Sequence, residues 1–340
     1  MLTLIISIIV FGLLIGVHEA GHLVAAKLNH VKVHEFAIGM GPKLFSFGKG
    51  ETEYSLRLIP IGGYCQMEGE NEQSEDSRAF CNKKPLARIV ILAAGAVMNL
   101  VLGYVAFVIF FAPVPQFAVP EVANVIAEAP AASQGLMAGD RIVKLNHTKI
   151  NIQNDITFFM SRNGDKPIDV TVERNGERLT IPITPYQQDG EWLIGFQSKV
   201  VNNSFWETIK MAFYGEIFIM KLVLVTFGDL ITGAVSLSAT SGPVGIVTEI
   251  GKAAKMGFSN VVYIVALITV NLGLFNLLPI PALDGGRIVF VLIELIFRKR
   301  VPANVEGTIH AVGLMLLLLL MVFVTFQDIG RIEFVTNLFG

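Results

Sequence analysis

His18-Glu19-Ala20-Gly21-His22 sets two imidazoles four residues apart around a carboxylate. Positions four apart share one face of a helix, so both rings can reach a single zinc ion. The glutamate between them is then placed to take a proton from a water that the zinc has made acidic. A lone histidine on an apolar helix is more often a core residue than a ligand. This chain has only 6 histidines, and two of them stand at ligand spacing around a glutamate.

The motif sits in an apolar run from Leu2 to Ala26. A run of that length can cross the hydrocarbon core of a bilayer. Ionisable groups at membrane depth are costly and usually serve a function. The pairing of motif and setting points to zinc-dependent hydrolysis within a membrane. The run is not read as a signal peptide, because it lacks a basic start and exceeds a typical signal core.

The rest of the chain must bring further donors to this helix. Its 340 residues are 53% hydrophobic and 16% charged, with a mean hydropathy of +0.60. That is too apolar for an ordinary soluble domain. A net charge of −2 leaves no basic footprint for nucleic acid. Four segments are read as spans: Leu2–Ala26, Ile89–Ala112, Val261–Leu283 and about His310–Phe326. Lys27, Lys32, Lys83, Lys84 and Arg88 cluster between the first two spans. Arg287, Arg298, Lys299 and Arg300 cluster between the last two. By the positive-inside rule both loops are cytoplasmic, and both termini and the region between spans two and three lie outside. Cys65 and Cys81 fall in the first inner loop, where a structural disulfide is not expected.

A catalytic zinc needs three protein ligands and an open position. Asp284 is the candidate, as the ionisable residue near the cytoplasmic end of the third span. The first and third spans run in the same direction, so His18, His22 and Asp284 share a depth.

Between the spans the pattern changes. Residues 31–64 read as short strands, with turn signals at Gly39-Met40-Gly41-Pro42 and Gly48-Lys49-Gly50. A sheet edge there could pair with an unfolded substrate segment; a plain cytoplasmic hairpin is the equal alternative. Glu68 to Asp76 reads as a solvated acidic loop with no assigned chemistry. Candidate strands Glu121–Ala127, Arg141–Asn146, Ile168–Arg174 and Arg178–Thr184, with a helix at Ile152–Ser161, make residues 113–200 one small domain. Residues 204–230 read as an amphipathic helix on the membrane surface, with a fifth span as the alternative.

His18–His22 in the first span, with Pro281-Ala282-Leu283-Asp284-Gly285 at the end of the third, resembles the site-2 protease family. The nearest likeness is to the bacterial, regulator-of-sigma-E protease-like branch. Gly39-Met40-Gly41, Leu58-Ile59-Pro60-Ile61-Gly62-Gly63-Tyr64, Gly95-Ala96-Val97-Met98-Asn99 and Ser241-Gly242-Pro243-Val244-Gly245-Ile246 carry the likeness along the chain. The resemblance implies an α-helical polytopic membrane protein with Zn2+ held by His18, His22 and Asp284, and Glu19 as general base. It implies Asn276 as a residue that binds unwound substrate backbone, with an interhelical hydrogen bond as its bland alternative. Pro281, Gly62, Gly63 and Asn99 are further substrate-binding candidates on the same ground. Ala129 to Ile142 resembles a bacterial periplasmic PDZ domain, of which residues 113–200 have room for one.

The expected architecture is four transmembrane helices, a membrane-associated β-region and one inserted extracytoplasmic PDZ-like α+β domain. Residues 1–112 form the first half of the membrane core, 113–200 the PDZ-like domain, 201–260 an interfacial helix and connector, and 261–340 the second half. The resemblance places the chain in a bacterial cytoplasmic (inner) membrane. Its implied partners are the lipid bilayer and single-pass membrane proteins already cleaved by another protease, anti-sigma factors or remnant signal peptides. Two rival readings are a metal transporter and a membrane peptide-binding scaffold without protease activity.

Overall fold

Glycines decide how closely the helices of this chain meet, and so where its polar side chains gather. The computed structural model describes residues 2–48, 50–70, 72–236 and 241–330. Lys49 of the Gly48–Gly50 turn signal, and both chain ends (Met1 and residues 331–340), lie outside the described residues. In chain order the elements are α1 (Leu2–Leu28), β1 (Val33–Phe47), β2 (Glu53–Met67), α2 (Pro85–Phe111), β3 (Gln116–Val125), the single-turn α3 (Pro130–Ser133), β4 (Arg141–Leu145), β5 (Thr148–Lys149), α4 (Gln153–Asn163), β6 (Ile168–Arg174), β7 (Glu177–Ile183), β8 (Tyr186–Gln188), β9 (Glu191–Leu193), β10 (Phe196–Asn202), α5 (Phe205–Ile231), α6 (Pro243–Met256), α7 (Phe258–Leu277), α8 (Asp284–Phe297) and α9 (Ala303–Gly330). They fall into two compact units, Met1–Ala106 with Met220–Gly340, and Phe107–Ile219.

Among the described residues, 5 helices are long and apolar enough to cross a membrane: α1, α2, α5, α7 and α9. The count exceeds the expected four by α5. Its charges are spread thinly enough to leave a window of mean hydropathy 1.6. The apolar surface of α9, from Leu314 to Leu320, stays largely exposed, as a lipid-facing helix requires. The third span is shorter than expected. α7 ends at Leu277, and Asp284 begins the separate helix α8. Pro279 and Pro281 explain the break, since the residue before a proline is pushed out of helical geometry.

In the first unit, α2 lies against α1 and α7 at backbone distance. A Cβ on Gly21 would sit 2.8 Å from the Ala94 carbonyl carbon and the Met98 Cγ. A Cβ on Gly273 would sit 2.9 Å from the Ala96 carbonyl oxygen. Without hydrophobic driving force between helices in lipid, such small-residue contacts supply the packing. The Thr269 hydroxyl crosses from α7 to donate to the Asn99 carbonyl oxygen at 3.0 Å. On α9, the Asp328 carboxylate accepts from the Gly242 and Gly245 N–H groups at 3.2 and 2.8 Å, capping the start of α6.

β1 and β2 pair antiparallel, and the ribbon is folded on itself. Phe36 has Cys65 on one side and Tyr54 on the other; Ala37 has Tyr64 and Ser55; Ile38 has Gly63 and Leu56. Gly39, Gly41 and Gly62 make the bends with φ of 87°, 81° and 86°. Residues 63–67 pair, among the described residues, only with 33–38, so their outer edge is open. Buried Glu35 ties the folded ribbon together. It accepts hydrogen bonds from Ser55, Arg57 and Tyr64 at 2.5, 2.8 and 2.8 Å. Burial would raise its carboxyl, but these three bonds outweigh burial and hold it down at about 2.

The second unit is an α+β body with the sheet path β10-β3-β4-β6-β7 and β5 beside β4. Ile142, Leu145, Val170, Val172 and Ile183 pack with Ile156 and Phe159 of α4 in its core. β6 and α4 fall where the alternating and helical patterns place them. Buried Asp140 is paired by the Arg174 guanidinium at 2.6 and 2.7 Å. β10 lies at the sheet edge.

Candidate metal centre and active site

Between α7 and α8, over residues 278–283, the chain turns back on itself. Ile280 N–H donates to the Leu278 carbonyl at 2.7 Å and Leu283 N–H to that of Ile280 at 3.2 Å. Gly285 and Gly286 let this loop lie on the first turn of α8; a Cβ on Gly286 would be 3.0 Å from the Ile280 carbonyl carbon. The turn brings Asp284 to the two histidines of α1. Its Oδ2 lies 3.2 Å from His18 Nε2 and 3.4 Å from His22 Nε2. The two Nε2 atoms are 3.2 Å apart.

These separations have a chemical meaning. His22 Nδ1–H donates to the Ile91 carbonyl oxygen at 2.9 Å, which leaves a lone pair on its Nε2. That lone pair faces another ring nitrogen and a carboxylate oxygen. Asp284 Oδ2 is buried, yet accepts no hydrogen bond of sound geometry among the described residues. Three such donor atoms at this range suit a shared cation. Zinc holds nitrogen and oxygen donors at roughly 2.0–2.2 Å in a tetrahedron, whose edges are then roughly 3.3–3.6 Å. The observed triangle of 3.2, 3.2 and 3.4 Å fits that geometry. Among the described residues these three form the group able to hold a metal ion, their ligand atoms within 4.8 Å of one another.

Beside them is a cavity of about 630 Å³, lined by His18, Glu19, His22, Asp284, residues 63–67 of β2, Glu70 and Arg287 among others. Glu19 therefore shares one polar space with the three donors. Gly63 also belongs to it; a Cβ there would meet the Glu19 Cγ at 3.1 Å. Gly62 does not line the cavity, and its Cα faces the Met40 side chain. Pro281 packs against Gly313 of α9. Asn276 lies half-buried in the last turn of α7 and is not among the residues that line the cavity. Asn99 is fully buried behind the site, its Nδ2 3.2 Å from His18 Nδ1. The acidic loop is not merely solvated: Glu70 pairs with Arg287 at the cavity wall, and Glu68 with His34 at 2.6 Å.

Sequence reasoning passes over Gly95. A Cβ there would run into His22 Nε2 and lie 2.8 Å from His18 Nε2. It follows that α2 must offer bare backbone to the ligand pair. The signal was present in the Gly95–Asn99 spacing, but only the structure says which helix the glycine faces.

Apolar helices of spanning length, meeting around a two-histidine, one-carboxylate centre with a glutamate in the same cavity, define a multi-pass membrane metallopeptidase. Comparison with known proteins agrees. The model of peptidase family M50 matches residues 6–320. A chain of Clostridium acetobutylicum named "putative zinc metalloprotease" is 40% identical over 96% of this chain and 97% of its own length. Chains of the same name from Clostridium perfringens and Fusobacterium nucleatum are 39% and 36% identical, over 96% and 97% of this chain and 98% and 99% of their own lengths. The chain belongs to peptidase family M50, the site-2 protease family, and zinc is its cofactor.

Proposed function

We propose that this chain is an intramembrane endopeptidase in which His18, His22 and Asp284 hold the zinc and Glu19 is the general base. One observation carries it: three donor atoms, two of them on a helix of spanning length, converge at tetrahedral spacing in the cavity that also takes Glu19. When bound, the metal supplies a Lewis acid that polarises the scissile carbonyl and acidifies water. Glu19 accepts the proton from that water and returns it to the leaving amine. The open edge of residues 63–67 runs along the cavity wall, where an extended peptide can add as a further strand. A transmembrane helix must unwind locally to present a peptide bond there, and Asn276 is a candidate to hold unwound backbone.

The substrates proposed are transmembrane segments of single-pass proteins already trimmed by another protease, such as anti-sigma factors or remnant signal peptides. The chain resides in the bacterial cytoplasmic membrane and crosses it four times, with α5 on the membrane surface and the 113–200 region and both termini outside. That region, read as a PDZ-like domain, follows directly on the second span along the chain, and screens substrates by bulk.

The test is Glu19→Gln in purified, lipid-reconstituted protein with a single-pass substrate bearing a short external tail. Zinc content should stay near one per chain while cleavage falls by a factor of roughly 10² to 10⁴. Retained cleavage would exclude Glu19 as base. Zinc flux across the vesicle would favour a transporter, and substrate binding with no cleavage by wild type would favour a scaffold.

A further inference from the structure

Ala282 has a φ of 77°, a left-handed conformation that residues with a Cβ rarely adopt. Such a conformation persists where its surroundings over-determine it. Two of those surroundings come from α9. The Ala282 N–H donates to His310 Nδ1 at 2.8 Å. One turn further on, Gly313 sits under Pro281; a Cβ there would be 2.9 Å from the Pro281 carbonyl carbon. Ala282 stands two residues before Asp284, so its backbone angles set the direction in which the chain enters α8 and presents the carboxylate.

We propose that His310 is a positioning residue for the metal centre: by accepting the Ala282 N–H it fixes the loop that aims Asp284 at the two histidines. The inference rests on the reading of Asp284 as a ligand. A backbone N–H is always a donor, so the bond fixes the tautomer of His310: Nδ1 offers the lone pair and Nε2 carries the hydrogen. The Nε2 atom has no hydrogen-bond partner among the described residues and lies 4.0 Å from Glu306 Oε1, while the ring lies against Phe290 at 5.5 Å between centroids. One nitrogen of the imidazole therefore has a defined task, and the rest of the ring is held by packing. Groups behind a metal ligand commonly matter this much, because they remove the freedom that the ligand would spend on binding.

The experiment measures zinc affinity of the full chain in detergent, by competition with a chromogenic chelator. His310→Ala removes the acceptor and should weaken zinc binding by roughly ten- to a hundred-fold. In His310→Asn the Oδ1 occupies nearly the place of Nδ1, so affinity should return to within about threefold of wild type. In His310→Gln the acceptor stands one bond too far, and affinity should stay low. A His310→Ala protein that binds zinc like wild type overturns the proposal. So does an Asn variant no better than the Gln variant, a comparison that holds even if the Ala variant fails to fold. Asp284→Ala separates the underlying reading: if that variant keeps wild-type affinity, Asp284 is not a ligand, whatever His310 does.

Discussion

Asn99 Nδ2 stands 3.2 Å from His18 Nδ1, and the Asn99 Oδ1 is buried with no partner among the described residues. If His18 ligates through Nε2, its Nδ1 carries the hydrogen and must donate. The amide then turns over, so that Oδ1 accepts from Nδ1–H and the orphaned acceptor is satisfied. Asn99 becomes a support of His18 rather than a contact of substrate. Asn99→Ala should weaken zinc binding by roughly tenfold or more, whereas Asn99→Asp keeps an acceptor and most of the affinity. An Ala variant that loses substrate binding but holds zinc normally would return Asn99 to the substrate.

Gly95→Ala should empty the metal centre without unfolding the bundle. The added methyl meets His22 Nε2 and lies 2.8 Å from His18 Nε2. Relieving it requires α2 to move away from α1, at a cost of about 1–3 kcal/mol. Helix content by circular dichroism should be unchanged and metal content by atomic absorption sharply reduced. Full zinc occupancy would show that the helices part without harm to the donors.

Glu35 gives the folded β-ribbon a pH dependence. Its carboxyl is held from the ordinary 4.5 down to about 2 by Ser55, Arg57 and Tyr64, against the effect of burial. A depressed carboxylate stabilises the fold fully above its unfolded pKa, and that contribution fades as pH falls towards the folded value. Glu35→Gln should therefore cost about 2 kcal/mol at pH 7, and the gap to wild type should close between pH 4.5 and 2. Parallel melting curves in detergent across that range decide it; a gap of constant size contradicts the assignment.

The orientation has its own check. With Glu75→Cys and Asp165→Cys in separate chains lacking the native thiols, a membrane-impermeant reagent should label position 165 from outside. Position 75 should react only after the membrane is opened. The expectation follows from the Lys and Arg clusters flanking the inner loops. Labelling of position 165 from the cytoplasmic side alone would invert the topology.

The histidine pair was legible because its ligands are four residues apart on one helix, a distance that sequence measures directly. Asp284 was legible by depth and by its place after Pro281. The break between α7 and α8 was not, since residues 278–283 are apolar and hydropathy runs straight through them. The two prolines held the information. Asn99, Gly95 and His310 act on partners 81, 73 and 28 residues away, and no local pattern names those partners. The same holds for Glu35, whose three donors come from across a ribbon that glycine bends have folded. For α5, charge positions on a helical wheel suggested a surface helix, while its length and mean hydropathy place it among the helices able to cross.

The distance along the chain between the metal donors also sets a clock. His18 and His22 enter the membrane with the first helix, but Asp284 follows 262 residues after His22 (284 − 22). At about 5–20 residues per second of synthesis, roughly 13 to 52 seconds separate the arrival of the second donor from that of the third. Throughout that interval the nascent protein carries the two imidazoles without Asp284. Ala282 and Asp284 must then wait for His310, another 26 residues later (310 − 284), before their loop is braced. Until Asp284 and then His310 have been made, the two imidazoles of the first helix stand without the third donor and the brace that the proposed centre needs.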